Sequence, residues 1–119
     1  MAYVDGFLLP VPKKKLKAYA ALSKKMGKIW REHGALAYRE CVGDDMNVMP
    51  GCGLAFPDLM KLKPGHVAVF SFIVYKSRKH RDAVNKNVMS DKRLANPPKT
   101  MPFDMNSMCT GGFKVFVDV

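Results

Sequence analysis

The run His66–Tyr75, HVAVFSFIVY, constrains this chain more than any other stretch. Val67, Val69, Ser71, Ile73 and Tyr75 share one parity, and Ala68, Phe70, Phe72 and Val74 share the other. Both sets are mostly apolar, the pattern of a strand covered on its two faces. Such a strand has to sit inside a sheet, and something has to lie on each side of that sheet.

The flanking sequence supplies part of that cover. Ala2 to Leu9 reads as a strand stopped by Pro10 and Pro12. Lys13 to His33 reads as a helix, with Gly34 as its stop signal. Turning about 100° per residue from Leu16, Tyr19, Ala20, Leu22, Met26, Ile29 and Trp30 gather on one half of it. Lys14, Lys17, Lys24, Lys25, Lys28 and Arg31 take the other half, which makes the helix amphipathic with a basic outer face. Leu36 to Val42 is a second strand closed by Gly43-Asp44-Asp45. Residues 46–65 form a long Pro- and Gly-punctuated connection, of the kind used for binding loops or subunit contacts. Ser77 caps a helix from about Arg78 to Met89. A further irregular stretch holds Asn96-Pro97-Pro98 and Met101-Pro102-Phe103-Asp104, and Gly111-Gly112 turns the chain into a last strand, Gly112 to Val119.

The order is β-α-β-β-α-β, an α+β chain of the ferredoxin-like type: a four-stranded antiparallel sheet with two helices on one face. At 119 residues it is one domain, 1–119, of ordinary size. Two helices on one side leave the other side bare, and a Phe-rich sheet surface is costly to leave wet. The expected solution is a homodimer packed through its sheet faces.

Composition limits the functional classes. No apolar run approaches the roughly 18 residues of a membrane span. The beginning of the chain shows no basic region followed by a signal core, and three cysteines without a close pair argue against a disulfide framework, so a reducing cytoplasm is expected. Twenty Lys and Arg against ten Asp and Glu leave a net charge of +10. That excess serves solubility, and it also favours anionic partners.

Several strings match a known family across nearly the whole chain: Tyr3-Val4-Asp5-Gly6-Phe7 with Pro10-Val11-Pro12, Trp30-Arg31-Glu32-His33-Gly34-Ala35-Leu36, and Tyr38-Arg39-Glu40-Cys41. Phe70 to Tyr75 with Ser77-Arg78, and Met101-Pro102-Phe103-Asp104 before Gly111-Gly112-Phe113, complete the set. The chain resembles the bacterial family known as domain of unknown function 1428, the YbaA-like proteins. The resemblance implies a ferredoxin-like protomer of the dimeric α/β-barrel superfamily, whose members include cofactor-free oxygenases, haem-degrading enzymes, dismutases and stress-response proteins. It implies no particular activity, and fold alone does not decide one.

Candidate chemistry is sparse. On the second strand, alternation puts Tyr38 and Glu40 on one face and Arg39 and Cys41 on the other. Cys41 beside Arg39 is either a thiol of lowered pKa or a small buried residue next to a structural ion pair. Asp5 lies in an apolar strand, so it either pairs with Arg39 or Arg81 or carries a raised pKa suited to acid–base work. His33, His66 and His80 are scattered with no metal-ligand spacing, and His33 at a helix end is a capping residue. Gly51-Cys52-Gly53 precedes no phosphate-binding helix, and no nucleophile elbow is present. No metal and no cofactor are expected.

Two functional classes remain. In the first, a small-molecule pocket between sheet and helices is lined by Asp5, Arg39, Glu40, Cys41, Ser71 and Arg81, with Met101 to Asp104 as a lid. In the second, a protein without chemistry binds RNA or another polyanion weakly and non-specifically through Lys17, Lys24, Lys28 and Arg31. Lys76, Arg78, Lys79, Arg81, Lys86, Lys92 and Arg93 around the second helix would extend that surface.

Overall fold

The structure, a computed structural model, describes residues 1–119. Seven elements follow one another: β1 (Tyr3–Pro12), α1 (Leu16–Glu32), β2 (Ala37–Val42), α2 (Phe56–Met60), β3 (His66–Tyr75), α3 (Arg78–Met89) and β4 (Cys109–Lys114). The sheet order is β2-β3-β1-β4 with every neighbouring pair antiparallel, which is the ferredoxin-like arrangement. The bounds of β3 and α3 are those the sequence predicts. The stretch 46–65 is not wholly irregular, because α2 forms within it with Pro57 in its first turn.

Three local expectations are corrected. β1 does not stop before its prolines: Pro10 pairs with Ala68 and Pro12 with His66. The Ala68 carbonyl turns toward β2, accepting from Gly43 N–H at 2.8 Å, so β3 asks no N–H of Pro10. On the opposite side β4 reaches only as far as Leu8, and a proline there breaks no ladder. The last strand runs from Cys109 to Lys114 rather than to Val119. Lys114 lies opposite Tyr3, and after Val115 N–H bonds Ala2 O at 3.0 Å the chain has no partner left to extend the ladder. Gly111 and Gly112 are therefore not a turn; they lie inside β4, opposite Gly6 and Asp5.

Helix ends follow their local chemistry. Gly34 adopts φ +113° after α1, and Ala35 N–H reaches back to Trp30 O at 3.0 Å while Gly34 N–H bonds Arg31 O at 3.1 Å. These two bonds form a Schellman closure, which only a glycine enters without strain. At the start of α3, Ser77 Oγ accepts from His80 N–H at 3.0 Å.

Both long helices cover the same side of the sheet, since α1 bonds Glu40 through Tyr19 and α3 bonds Asp5 through Arg81. Their apolar faces build two separate clusters. One holds Tyr3, Ile29, Ala35, Ile73, Tyr75, Val84 and Val88; the other holds Leu9, Val11, Tyr19 and Val69. Phe7 packs against both. The opposite side of the sheet is uncovered in the single chain: Phe70 is 49% exposed and Phe113 63%. The two-faced burial expected of β3 is thus met on the helix side, whereas on the other side only Ala68 is buried.

Candidate ligand cleft

Between the two clusters the helices part from the sheet and leave a cleft of about 540 Å³. β1 contributes Asp5, Phe7 and Leu9, and β3 contributes Ser71 and Ile73. Tyr19, Leu22, Ser23, Met26 and Trp30 line it from α1, and Arg81, Asn85 and Met89 from α3. The remaining wall is the segment carrying Met101, Phe103, Met105 and Met108. Phe103 holds that segment in place by meeting the Tyr19 ring edge-on, with centroids 5.5 Å apart at 82°.

Strand parity decides which predicted residues reach the cleft. Asp5, Glu40, Ser71 and Arg81 do. Arg39 and Cys41 do not: they share a parity with Ala37, opposite to Tyr38 and Glu40, and project exposed from the uncovered side of the sheet. Cys41 is therefore neither a buried packing residue nor a pocket thiol. Asp104 is also outside. It caps the short turn Met105–Ser107, accepting from Asn106 N–H and the Ser107 hydroxyl, each at 3.0 Å.

Polar groups gather at two places. At one, Arg81 Nη1 donates to Asp5 Oδ1 at 2.7 Å and Nε to Asp82 Oδ1 at 2.8 Å. The guanidinium also lies over the Tyr3 ring, 4.8 Å from its centroid. Burial works against the charge on Arg81, but Asp82 and Asp5 outweigh it and hold the group above its ordinary value. Asp5 thus has Arg81, not Arg39, as its partner. Nearby, Asn85 Oδ1 accepts from both Trp30 Nε1 at 3.1 Å and Tyr75 OH at 3.2 Å, tying α1, α3 and β3 together at the cleft floor.

At the other place, Glu40 receives two phenols. Tyr19 OH donates to Oε1 at 2.8 Å and Tyr38 OH to Oε2 at 3.3 Å. Burial first, and then the neighbouring Glu40 carboxylate, push both phenols well above the ordinary tyrosine range, so they remain donors. Gly27 makes this geometry possible: a Cβ there would come within 2.6 Å of Tyr38 Cδ1. The two carboxylates come from strands on either side of β3. Asp5 lies opposite Ile73 on one edge of β3, and Glu40 opposite Ser71 on the other. Two strand spacings, about 10 Å, and a two-residue offset along β3 separate their backbones.

The sequence reading missed Tyr19, Trp30 and Asn85 as cleft residues. Tyr19 and Trp30 carry the periodicity of a buried helix face, and a face lining a cleft has the same period as one packed solid. The pairing of Tyr38 with Glu40 on one face was the available signal.

The basic surface is smaller than the residue count implies. Lys17, Lys24, Lys28 and Arg31 are exposed, and Arg31 also donates to the carbonyls of Ala35 and Leu36. Arg81 points inward, and Arg93 is held by Glu32 at 2.7 Å and Asp91 at 2.8 Å. His33 Nε2 stands 2.7 Å from the same Asp91, joining the end of α1 to the segment after α3.

Fold and site together define a ferredoxin-like α+β domain with a ligand-sized cleft between its sheet and its helices. Residues 2–105 match the family described as protein of unknown function (DUF1428), and the chain belongs to that family. It is 39% identical over 118 residues to the uncharacterized protein YbaA of Escherichia coli strain K12, covering 99% of each. The uncharacterized protein YbaA of Shigella flexneri matches to the same extent, 39% over 118 residues. Among solved structures, the de novo designed protein Foldit4 aligns with a TM-score of 0.46 at 9% identity, over 97% of this chain and 99% of that one. No helix is long and apolar enough to cross a membrane.

Proposed function

We propose that this protein binds a small organic molecule in the cleft between sheet and helices, as a cytoplasmic homodimer packed through its uncovered sheet faces. The observation that carries the reading is the cleft itself. Its volume of about 540 Å³ falls within the range of small-molecule sites, and 14 of its 23 lining residues are hydrophobic, which calls for a ligand with a mainly apolar body. Any acid–base chemistry would fall to Glu40, because the Asp5 carboxyl is engaged by Arg81. The dimer rests on the exposed Phe70 and Phe113 of a sheet with helices on one side only. Exposed, unpaired Cys41, Cys52 and Cys109 suit a reducing compartment.

A second reading has one observation in its favour, the exposed row Lys17, Lys24 and Lys28 on α1. It assigns RNA or another polyanion to that face.

Native mass spectrometry of untagged protein, purified gently at low salt, separates the two. A dimer carrying a discrete small-molecule adduct is the expected result. Heterogeneous nucleic acid that salt strips away would transfer the assignment to the lysine face. A bare monomer would overturn the dimer reading.

A further inference from the structure

Resting on the small-molecule reading, we infer that the cleft selects an organic cation, an ammonium group on an apolar body, and seats that ammonium on Glu40.

The first support is that Glu40 is a carboxylate outside every ion pair of the molecule. The ion pairs of the molecule involve His33, Arg81 and Arg93, and none reaches Glu40. Its two partners are neutral phenols, one on each oxygen. Each carboxylate oxygen has a second lone pair, so two acceptor positions remain for a ligand that brings N–H donors. A half-buried carboxylate among apolar walls gains most from a donor that also brings positive charge.

The second support is the ring arrangement. Phe103 meets Tyr19 at 5.5 Å, Trp30 meets Tyr38 at 6.3 Å, and Tyr19 and Tyr38 both end on Glu40. Aromatic faces attract cations through their quadrupoles, and rings set around a carboxylate are a recurring way to hold an ammonium. A neutral ligand would use the rings but not the charge, and an anion would be opposed by it.

The other charged groups make the inference exacting. The Asp5–Arg81 pair is internally balanced at the far end. Lys24, Lys28 and Arg31 border an outer groove that shares Tyr38 and Glu40. With a net charge of +10, the molecule as a whole repels cations. A preference for an amine over a neutral isostere would therefore have to originate at Glu40.

Three probes with one phenyl body test this: phenethylammonium, 2-phenylethanol and 3-phenylpropionate, titrated into the whole protein by saturation-transfer NMR and calorimetry. The ammonium should bind about tenfold or more tightly than the alcohol. Glu40→Gln should abolish that advantage, so that ammonium and alcohol bind the variant about equally. Equal binding of alcohol and ammonium, or tighter binding of the carboxylate, by the unmodified protein overturns the cation assignment and leaves the small-molecule cleft standing. Binding of none of the three overturns both. Because the comparison among probes is made on the unmodified protein, it holds even if the variant is unstable.

Discussion

Arg81 and Asp5 are 76 positions apart in the chain, yet the guanidinium meets the carboxylate at 2.7 Å beneath α3. The pair fixes that helix to the central strand of the sheet, and Asp5 is buried with it. Removing Asp5 would leave Arg81 partly desolvated with only Asp82 and water. Asp5→Ala should therefore cost about 2–3 kcal/mol in urea unfolding, below the usual loss for a fully enclosed pair. The double variant Asp5→Leu with Arg81→Met should recover most of it. A single-variant loss under 0.5 kcal/mol, on the order of a surface change, would remove the pair from the list of structural determinants.

Gly27 sets two effects against each other. Alanine in mid-helix is favoured over glycine by about 1 kcal/mol. Its Cβ, however, would lie 2.6 Å from Tyr38 Cδ1 and 3.1 Å from Cγ, atoms close to the backbone of β2 that cannot swing aside. Overpacking of this kind costs about 1–3 kcal/mol, so the clash wins. Gly27→Ala should lower stability and, by moving Tyr38 off Glu40, change near-ultraviolet circular dichroism. A stabilised variant would show that the helix and β2 are farther apart.

Alkaline stability follows from the phenols. Tyr19 and Tyr38, raised by burial and Glu40, and Tyr75, raised by burial and Asp5, keep their protons in the folded state beyond the ordinary range near 10. The unfolded chain loses them at about pH 10. Their contribution is complete below that pH and declines above it, since the unfolded state then binds fewer protons, by up to about 1.4 kcal/mol per pH unit for each phenol. Phenolate absorbance from these three should rise together with loss of far-ultraviolet ellipticity. Reversible ionisation of Tyr19 and Tyr38 near pH 10 with the fold intact would contradict the Glu40 arrangement.

Acid acts elsewhere. Hydrogen bonds from Arg93 and then His33 hold the Asp91 carboxyl well below the usual carboxylate range. A depressed folded value contributes stability above the unfolded pKa of about 3.9, and that contribution fades as pH falls below it. Asp91→Asn should lower the melting temperature near neutrality and flatten its decline toward low pH. Parallel acid profiles for the variant and the parent would count against this link between α1 and the segment after α3.

The proposed dimer predicts a residue-specific effect. Phe70→Asp or Phe113→Asp, each on the uncovered sheet face, should give monomers by sedimentation, whereas Lys24→Asp on α1 should leave the assembly intact. Unchanged sedimentation of both Phe variants would place any subunit contact elsewhere.

The sequence reports some of these features better than others. β3 and Ser77 with α3 were readable because each carries its own determinant, an apolar run or a capping hydroxyl. The prolines of β1 and the end of β4 were not, because both depend on how far a neighbouring strand extends. Alternation correctly separated Tyr38 and Glu40 from Arg39 and Cys41, but it assigns relative sides only. Grouping Arg39 and Cys41 with Glu40 in one pocket overlooked that separation. The carboxylate in an apolar strand points to Arg39 or Arg81 as partner for Asp5, and the outward side of Arg39 leaves Arg81.

Five methionines, Met26, Met89, Met101, Met105 and Met108, stand among the cleft walls. An unbranched thioether chain turns easily among rotamers and refills space that a branched side chain would leave empty. Such walls can yield to ligands of different outline. Ligands lengthened one methylene at a time should lose affinity gradually instead of at a sharp size limit. Oxidation of these sulfurs would convert an adaptable apolar wall into a polar one, making occupancy of the cleft sensitive to oxidants even though no cysteine lines it.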